Sequence, residues 1–577
     1  MGTAPGRAIE ERHRDSMRRP WGRVNRKSLD LAGLDQQSGR MRSCQWPLPY
    51  LQNPRRHFLK QLGLAAAGLA WLRAAPECLA ERQVVRHKLP RSRPEAQGVD
   101  SAGILAFLEG LAQSPHEFHS FVLVRHGYVV AEGYWAPYRP AAPQMMYSMS
   151  KSFTSTGVGL AVSEKRLTVD DPVISFFPDD LPESISDFLR ELRVKHLLTM
   201  SVGHAQDSTG LIRADQNWVR KFLSLPIAHP PGTTFLYNSG ATYMLSAIVQ
   251  RVTGQKLIDY LQPRLFVPLG IGDVSWETCP RGINTGGWGL KIQTEGLAKF
   301  GQLYLQRGQW RGRQVLPAAW VEEATTFKIQ QPAPDLERAK ERSDWHQGYC
   351  YQFWRCRHRA YRGDGAFGQF TIVMPDADAV LAITSESSNM QGELDLVWEH
   401  ILPALKTGPL PPQELLQAQL KERLASLALL PPAGKPTVPL ADRISGRRYQ
   451  IMSDPPGRRL SFQFLNRACV YSLQDDLGEH SIRCGYQQWL DGETSMPGTP
   501  PKLTPGPLGP VSKVAAGAVW KDERTLEMVW RFYETPHHDT VTCRFEGDRV
   551  TVEFLDSMTA MNPGRKDKRA PLEGKVI

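Results

Sequence analysis

The sequence lacks the patterns that mark several large classes of protein. Its 577 residues contain no apolar run of about 20 residues, the length needed to cross a bilayer, so we expect no integral membrane span. Its eight cysteines form no C-x-x-C pair, the usual motif of a zinc ribbon or a thioredoxin-like site. H-E-x-x-H, G-x-S-x-G and a glycine-rich phosphate loop are also missing. We therefore expect neither a metal nor a cofactor.

Positive charge is concentrated at the two ends of the chain. The formal net charge is +11, yet residues 1–60 carry 13 Lys/Arg against 5 Asp/Glu, and residues 561–577 carry 5 against 2. These two segments account for the whole excess. A protein that binds nucleic acid needs its basic residues on a folded face. We therefore expect no nucleic-acid partner.

An export signal is expected near the start. The pair Arg55-Arg56 precedes a weakly apolar Gly/Ala/Leu run at 61–72, and Cys78-Leu79-Ala80 offers a small-residue cleavage site. This arrangement resembles a twin-arginine signal, and the alternative is an amphipathic helix with a chance arginine pair. We assign residues 1–52 to a disordered basic extension and 53–80 to the signal. The expected location is periplasmic or extracellular.

The oxidation state of the cysteines stays open at this point. An oxidising compartment would permit a bridge between Cys350 and Cys356, or between Cys469 and Cys484. Buried free thiols are the default expectation.

The rest of the chain reads as an α+β domain followed by a small all-β domain. Apolar spacing predicts helices at 101–111, 151–164 and 297–307, and alternation predicts strands within 121–134, 368–374 and 379–384. Strands at both ends of a helical block favour an antiparallel sheet flanked by helices. We assign 81–406 to this catalytic domain, a proline-rich linker to 407–440 and a β-sandwich or barrel to 441–577.

The first chemical motif is S-x-x-K at Ser148 and Lys151. Residues three apart on a helix share one face, so the amine can reach the hydroxyl. A lysine serves as base when burial lowers its pKa, and a helix N-terminus favours a developing oxyanion. Alone the motif is weak, because an exposed serine and a solvated lysine would look the same.

Two further elements follow at wide spacing. Tyr237 lies on a loop before an apolar helix, where its phenol can relay a proton, although a core aromatic is the commoner reading. The segment Gly363-Asp364-Gly365 leads through Ala366 into a strand, where small residues allow close approach and an N–H can stabilise an oxyanion. A glycine-rich hairpin turn is the alternative.

Together the three elements resemble the serine β-lactamase and penicillin-binding-protein superfamily, in its class C-like branch of esterases, D-aminopeptidases and 6-aminohexanoate-oligomer hydrolases. The resemblance covers roughly 95–405. It implies a β-lactamase/transpeptidase-like fold with an antiparallel sheet and an all-helical subdomain. It also implies Ser148 as nucleophile, Lys151 as base and Tyr237 as proton relay, with the N–H groups of Ser148 and Ala366 as the oxyanion hole.

The same resemblance suggests a set of substrate-binding residues and shows two departures. A serine stands at 239 where the family has an amide, and the cation of the third motif is missing at 363 unless Arg359 or Arg362 replaces it. Both departures disfavour β-lactam substrates. The expected substrate-binding residues are Asn238, Ser239, Gly363, Asp364, Gly365, Trp288 and His204, although the last two are more often structural.

Three functions compete. The first is a secreted serine hydrolase that cleaves a small ester, amide or peptide-like substrate through a Ser148 acyl-enzyme. The second is a catalytically weak cell-wall binding or sensor protein on the same fold. The third is a true β-lactamase or D-Ala-D-Ala carboxypeptidase.

Overall fold

The computed structural model describes residues 87–453, 457–503, 511–562 and 564–577, all within one compact unit that spans Glu81–Ile577. The expected basic extension (1–52) and signal segment (53–80) lie outside the described residues. Within the described ranges, no helix has the length and apolar character needed to cross a bilayer.

The centre of residues 87–406 is a six-stranded antiparallel sheet. Its spatial order is β2-β1-β6-β5-β4-β3, so the first hairpin pairs with the last strand of the region. The predicted strands are confirmed, and the chain between β2 and β3 supplies most of the helices. The strands are β1 Glu117–Arg125, β2 Tyr128–Tyr134, β3 Trp354–Arg355, β4 Tyr361–Gly365, β5 Gln369–Met374 and β6 Ala379–Glu386.

Helices cover both faces of this sheet. Phe121 and Leu123 of β1 pack into one buried cluster with Phe107, while the alternate residues Val122 and Val124 join the cluster on the other face. Period-two alternation on a sheet buried on both sides explains why β5 and β6 read as continuous apolar runs. The five longest helices in the described part of the chain are α1 Ser101–Gln113, α2 Ser150–Ser163, α3 Ser239–Thr253, α4 Thr294–Leu305 and α5 Glu414–Ala425.

The helical block sits between β2 and β3 and packs around α2 and α3. Gly157 and Gly159 of α2 let neighbours approach closely, since a Cβ at Gly159 would lie 2.3 Å from the indole nitrogen of Trp320. The shorter helices of the described chain are Asp187–Glu191, Val194–Leu198, Thr209–Arg213, Trp218–Leu223, Leu257–Leu261, Val267–Leu269, Ala318–Thr325, Leu336–Arg342, Met390–Leu396, Leu402–Ala404, Pro439–Ile444 and Ser557–Ala560.

Short strands complete the catalytic region. Gln144–Met145, Leu290–Ile292 and Ser275–Trp276 form a three-stranded ribbon, and Gln309–Trp310 pairs with Arg313–Gln314. The first ribbon brings the chain before Ser148 next to residue 290.

The C-terminal region is a closed barrel, which decides between the sandwich and barrel alternatives. Its order is β10-β9-β8-β7-β16-β15-β14-β13-β12-β11, and a parallel pairing of β10 with β12 at Gly485 and Gly517 closes it. The strands are β7 Arg448–Ile451, β8 Arg459–Phe464, β9 Ala468–Asp475, β10 Gly478–Tyr486, β11 Leu490–Thr494, β12 Ser512–Trp520, β13 Thr525–Arg531, β14 His538–Glu546, β15 Arg549–Asp556 and β16 Leu572–Val576.

The proline-rich segment 407–440 is packed against its neighbours along much of its length. Helix α5 lies against α1 and β2, and Leu420 and Leu427 are buried. Its later residues pair by single bridges with Ala136 on one side and Trp520 of the barrel on the other. The six described cysteines, which include Cys350, Cys356, Cys469 and Cys484, are buried free thiols.

Candidate active site

The predicted nucleophile lies on a tight turn that leads into α2. Ser148 is the middle residue of a single 3₁₀ turn, Tyr147–Met149, and α2 follows directly at Ser150. The turn begins with Tyr147 at φ 44°, in the left-handed region that side chains other than glycine rarely adopt. Ser148 is partly exposed, whereas its neighbours in the turn are buried. Ser148 is therefore partly accessible to solvent.

Lys151 is buried beside this hydroxyl. Its side-chain nitrogen lies 3.0 Å from Ser148 Oγ and 2.9 Å from Ser239 Oγ, and it donates to the carbonyl oxygen of Gly287 at 2.7 Å. Burial lowers the pKa of Lys151 to about 7, against the opposing charges of Asp207 and Asp364. A substantial share of the amine is therefore neutral at neutral pH.

Tyr237 completes the group. Its phenol interacts with the Ser148 side chain, and the amine of Lys151 lies 4.9 Å from the centre of its ring. Its ring stacks on Trp354 with centroids 5.6 Å apart. Burial, aided by Asp364, raises the pKa of the phenol well above its usual value, so the hydroxyl keeps its proton. The structure thus brings the three predicted catalytic side chains together in one cluster.

Of the two residues after Tyr237, Ser239 faces the site and Asn238 supports it from behind. Ser239 accepts a hydrogen bond from Lys151, as described above. Asn238 is 1% exposed, and its Oδ1 accepts from the N–H groups of Gly240 and Ala241 at the start of α3. An asparagine at this position caps the helix, so its amide is not open to a substrate. Sequence analysis assigned Asn238 to the substrate surface, and the structure places it behind that surface.

His204 belongs to the same support. Its Nδ1 lies 3.1 Å from the Asn238 side-chain nitrogen, and its ring packs on Phe222. It is 5% exposed, and burial lowers its pKa to about 4. His204 is therefore a neutral, structural histidine that holds Asn238 in its capping position. Asp207, three residues later, is exposed and accepts from the N–H of Ser239 at 3.1 Å.

Trp288 is also buried, and its neighbour Gly287 contributes more to the site. The Trp288 ring packs 5.8 Å from that of Trp218, and its carbonyl accepts from the indole N–H of Trp276. The expected substrate contact of Trp288 is therefore replaced by packing inside the helical block. The Gly287 carbonyl holds Lys151 instead.

Strand β4 lies directly against the nucleophile turn. A Cβ at Gly363 would meet the sulfur of Met149 at 2.5 Å, and one at Gly365 would meet the carbonyl oxygen of Met146 at 2.1 Å. Only glycine permits this approach, which brings the half-buried Ala366 beside the Ser148 turn. The two predicted oxyanion donors thus lie on backbone segments in contact.

An aspartate follows Gly363, the position at which the family's cation is missing. Asp364 is 8% exposed, and its Oδ2 lies 2.9 Å from Arg362 Nη2. Arg362 is fully buried and stacks over Trp345 at 4.3 Å. Arg359 points to solvent beside Asp376. Neither arginine therefore takes the place of the family's cation.

One cluster in the described chain has the spacing of a metal site but is already paired. Glu117, Glu386 and His538 place ligand atoms within 4.8 Å of one another. Arg531 donates both terminal nitrogens to Glu117 at 2.6 and 2.9 Å, and His538 donates to Glu386. This is an ion-pair network between the sheet and the barrel.

Sequence reasoning missed three contributors to the site. The Gly287 carbonyl could have been suspected from the Gly-Gly-Trp-Gly run at 286–289, whereas the stacking partner Trp354 has no local signal. The third is His537 of the barrel, which contacts Tyr147.

Comparisons with known proteins identify the family of this chain. A family model described as Beta-lactamase matches residues 118–406, just over half of the chain. The 6-aminohexanoate-dimer hydrolase of Paenarthrobacter ureafaciens is 26% identical over 282 residues, which are 45% of this chain and 71% of that protein. Esterase EstB of Burkholderia gladioli is 25% identical over 211 residues, 31% of this chain and 53% of the esterase.

Among solved structures, a putative 6-aminohexanoate-dimer hydrolase from Bacillus anthracis matches with a TM-score of 0.45 and 20% identity, over 57% of this chain and 90% of that one. The residues matched by the family model span the six-stranded sheet, the Ser148 turn, Tyr237 and strand β4. The chain belongs to the beta-lactamase family and is a serine hydrolase of the beta-lactamase-related type.

Proposed function

We propose that this protein cleaves a small ester or amide through an acyl-enzyme on Ser148. The observation that carries the proposal is the contact of Ser148 with both Lys151 and Tyr237, together with a Lys151 pKa near 7. A base with a pKa close to the working pH is both available and strong enough to take the serine proton.

The reaction follows from the positions of these groups. The neutral amine of Lys151 takes the Ser148 proton as Oγ attacks the substrate carbonyl carbon. The tetrahedral oxyanion lies at the N–H groups of Ser148 and Ala366. Collapse breaks the bond to the leaving group, which takes a proton from Lys151 by way of Tyr237. Water then attacks the acyl-enzyme ester and releases the acid, and Ser148 regains its proton.

The charges around the site favour a substrate without a carboxylate at the third-motif position. Asp364 is the second residue of the segment that resembles the family's third motif and is paired with Arg362, while Arg359 pairs with Asp376 at the surface. A penicillin carboxylate would meet a buried aspartate there. We therefore place esters and small uncharged amides ahead of β-lactams and D-Ala-D-Ala peptides.

No observation on the described residues favours the alternative function, a catalytically weak cell-wall binding or sensor protein. Burying a lysine next to a serine costs free energy, because the charged form loses its hydration. A binding scaffold gains nothing from that cost, whereas an acyl-transfer site needs the neutral amine. This argument supports an active enzyme.

The test is a burst of p-nitrophenol from p-nitrophenyl butyrate, followed by mass spectrometry of the intact protein. We expect a mass increase of one butyryl group in the wild type and its loss in Ser148→Ala. Ser163→Ala is the matched control, because Ser163 is on the same helix but exposed at its far end. Turnover that persists in Ser148→Ala would overturn the proposal.

We also propose that the protein is exported. The support is the twin-arginine pattern at 53–80, which lies outside the described residues. Fusing residues 1–80 to a reporter that works only outside the cytoplasm tests it. Replacing Arg55 and Arg56 with lysine should abolish the signal, and an unchanged signal would contradict this assignment.

A further inference from the structure

The barrel reaches the nucleophile turn through one buried hydrogen-bond chain. The hydroxyl of Tyr147 lies 2.6 Å from His537 Nε2, and His537 Nδ1 lies 2.5 Å from a carboxylate oxygen of Glu386. His537 is fully buried just before β14, and Glu386 ends β6 of the central sheet. This chain of hydrogen bonds therefore joins the central sheet and the barrel next to the turn that carries Ser148.

The direction of these hydrogen bonds follows from the partners. The N–H of Leu503 points at the Tyr147 oxygen from 3.4 Å, so that oxygen accepts there and its own O–H donates to His537 Nε2. Nε2 is then an acceptor, and the proton of the imidazole sits on Nδ1, where it donates to Glu386. The carboxylate fixes the orientation of the ring and the ring fixes the phenol.

The same imidazole contacts the other side of the predicted oxyanion hole. Its ring meets Phe367 edge to face at 4.8 Å, and Phe367 meets Tyr147 at 5.5 Å. Tyr147 directly precedes Ser148, and Phe367 directly follows Ala366. One barrel residue thus holds the neighbours of both backbone N–H groups.

Both neighbours have strained backbones that need such support. Tyr147 has φ 44° and Phe367 has φ 68°. A residue with a side chain is sterically disfavoured in this region and persists there only when its surroundings fix it. Phe367 is fixed further through its carbonyl, which accepts from Ser385 Oγ at 2.9 Å and from the Ser387 N–H at 3.1 Å. For Tyr147, the contacts of its ring and hydroxyl with His537 provide this support.

We propose that His537 is a positioning residue of the active site, which holds Tyr147 and Phe367 so that the N–H groups of Ser148 and Ala366 converge on the substrate oxyanion. The barrel is then part of the catalytic unit. This inference rests on the proposed function, since it needs Ser148 as the nucleophile.

A residue that only stabilises the contact between the barrel and the sheet would behave differently. Its loss would lower stability, while the folded fraction would keep a normal site. The loss of a positioning residue changes the oxyanion hole in the folded protein. We therefore expect kcat to fall with KM nearly unchanged, because the oxyanion forms only in the transition state.

The experiment uses the full chain and compares His537→Ala, His537→Gln and Tyr147→Phe with wild type. The kinetic substrate is p-nitrophenyl butyrate. The second readout is the affinity for phenylboronic acid, which bonds to the serine Oγ and places an oxygen in the oxyanion hole. We expect His537→Ala to lose about 10- to 100-fold in kcat and in boronate affinity, as a displacement near 1 Å does.

The two other variants keep the test valid if His537→Ala folds poorly. Tyr147→Phe removes only the hydroxyl and keeps the ring contact with Phe367, so it should lose part of the activity. His537→Gln keeps an acceptor and a donor and should recover part of what His537→Ala loses. His480→Ala is the matched control, a buried barrel histidine paired with Asp475 away from the site. Its kcat and boronate affinity should stay at the wild-type level.

The outcomes are distinct. Normal kcat and boronate affinity in folded His537→Ala and Tyr147→Phe would overturn the positioning role while leaving the hydrolase intact. The same losses in His480→Ala would also overturn it, since any barrel change would then suffice. A wild type that neither turns over the ester nor binds the boronate would remove the proposed function and this inference with it.

Discussion

The amine of Lys151 lies 3.0 Å from the hydroxyl oxygen of Ser148, one helical turn earlier in the chain. Gly287 offers Lys151 only an acceptor, so one amine hydrogen points there in every protonation state. When the amine is neutral, its lone pair is left to face a serine hydroxyl. The reactivity of the proposed nucleophile, Ser148, therefore depends on the protonation state of Lys151.

Replacing Lys151 with Met removes this base. We expect kcat/KM for p-nitrophenyl butyrate to fall by about 10²- to 10⁴-fold, the usual contribution of a general base. Lys151→Arg should fail as badly, because a guanidinium stays protonated. Lys299→Met is the matched control, a buried lysine that also donates to a backbone carbonyl, that of Gly270. Equal losses in this control would point to a general folding defect.

The rate should depend on pH through the same amine. Burial lowers the pKa of Lys151 to about 7, and only the neutral form accepts the serine proton. The value of kcat/KM should therefore rise with pH up to about 7 and then level off. A pH–rate profile from pH 5 to 9 measures it. A value of kcat/KM that still rises steadily at pH 9, with no inflection near pH 7, would contradict the assignment of Lys151 as base.

Asp207 should shift that inflection. Its negative charge raises the pKa of Lys151, so Asp207→Asn should move the inflection to lower pH. The shift should stay below about 1 pH unit and shrink in high salt, because an exposed carboxylate is screened. Asn keeps the oxygen that accepts from Ser239. Asp215→Asn, another exposed aspartate of the helical block, should leave the profile unchanged.

The close contact of β4 with the nucleophile turn gives a steric prediction. A methyl group at Gly365 would lie 2.1 Å from the Met146 carbonyl, so the Ser148 turn must move. We expect Gly365→Ala to lower kcat/KM by about 10- to 100-fold. Gly492→Ala, on a barrel strand with open space at the Cβ position, should have no effect. Full activity in Gly365→Ala would show that the turn adapts.

The candidate catalytic side chains were predictable because their signals are local or lie in recognisable contexts. Ser148 and Lys151 share a helix turn, and Tyr237 precedes an apolar helix. The true role of Asn238 also had a local signal, since an asparagine before an apolar helix is a typical N-cap. The likeness to the family motif led instead to a substrate contact, and the capping rule would have corrected it.

The missed contacts depend on packing between distant parts of the chain. Lys151 and Gly287 are 136 residues apart, and Tyr147 and His537 are 390 residues apart. No spacing rule reaches across such distances. Strand β12, Ser512–Trp520, has a weak local signal for another reason, because its run of alanine and glycine has low β-propensity. Those small residues allow close packing, since a Cβ at Gly517 would lie 2.9 Å from Pro432.

The last prediction concerns how acid acts on the contact between sheet and barrel. Glu386 is buried, which by itself would raise its pKa, but His537 and His538 lower it to about 2. The unfolded chain binds a proton at this carboxyl near its ordinary value of 4.5. The stabilisation from Glu386 is therefore complete above pH 4.5 and is lost as the pH falls from there towards 2.

Glu386→Gln should accordingly lower the free energy of unfolding by about 1–3 kcal/mol at pH 7, since a hydrogen-bonded buried charge is removed. The gap between variant and wild type should narrow below pH 4.5, because wild type then loses the same charge. Urea unfolding at pH 7, 4.5 and 3 measures it, with Glu479→Gln on the exposed face of the barrel as control. A gap that stays constant with pH would mean that Glu386 stabilises the fold through its shape and not through its charge.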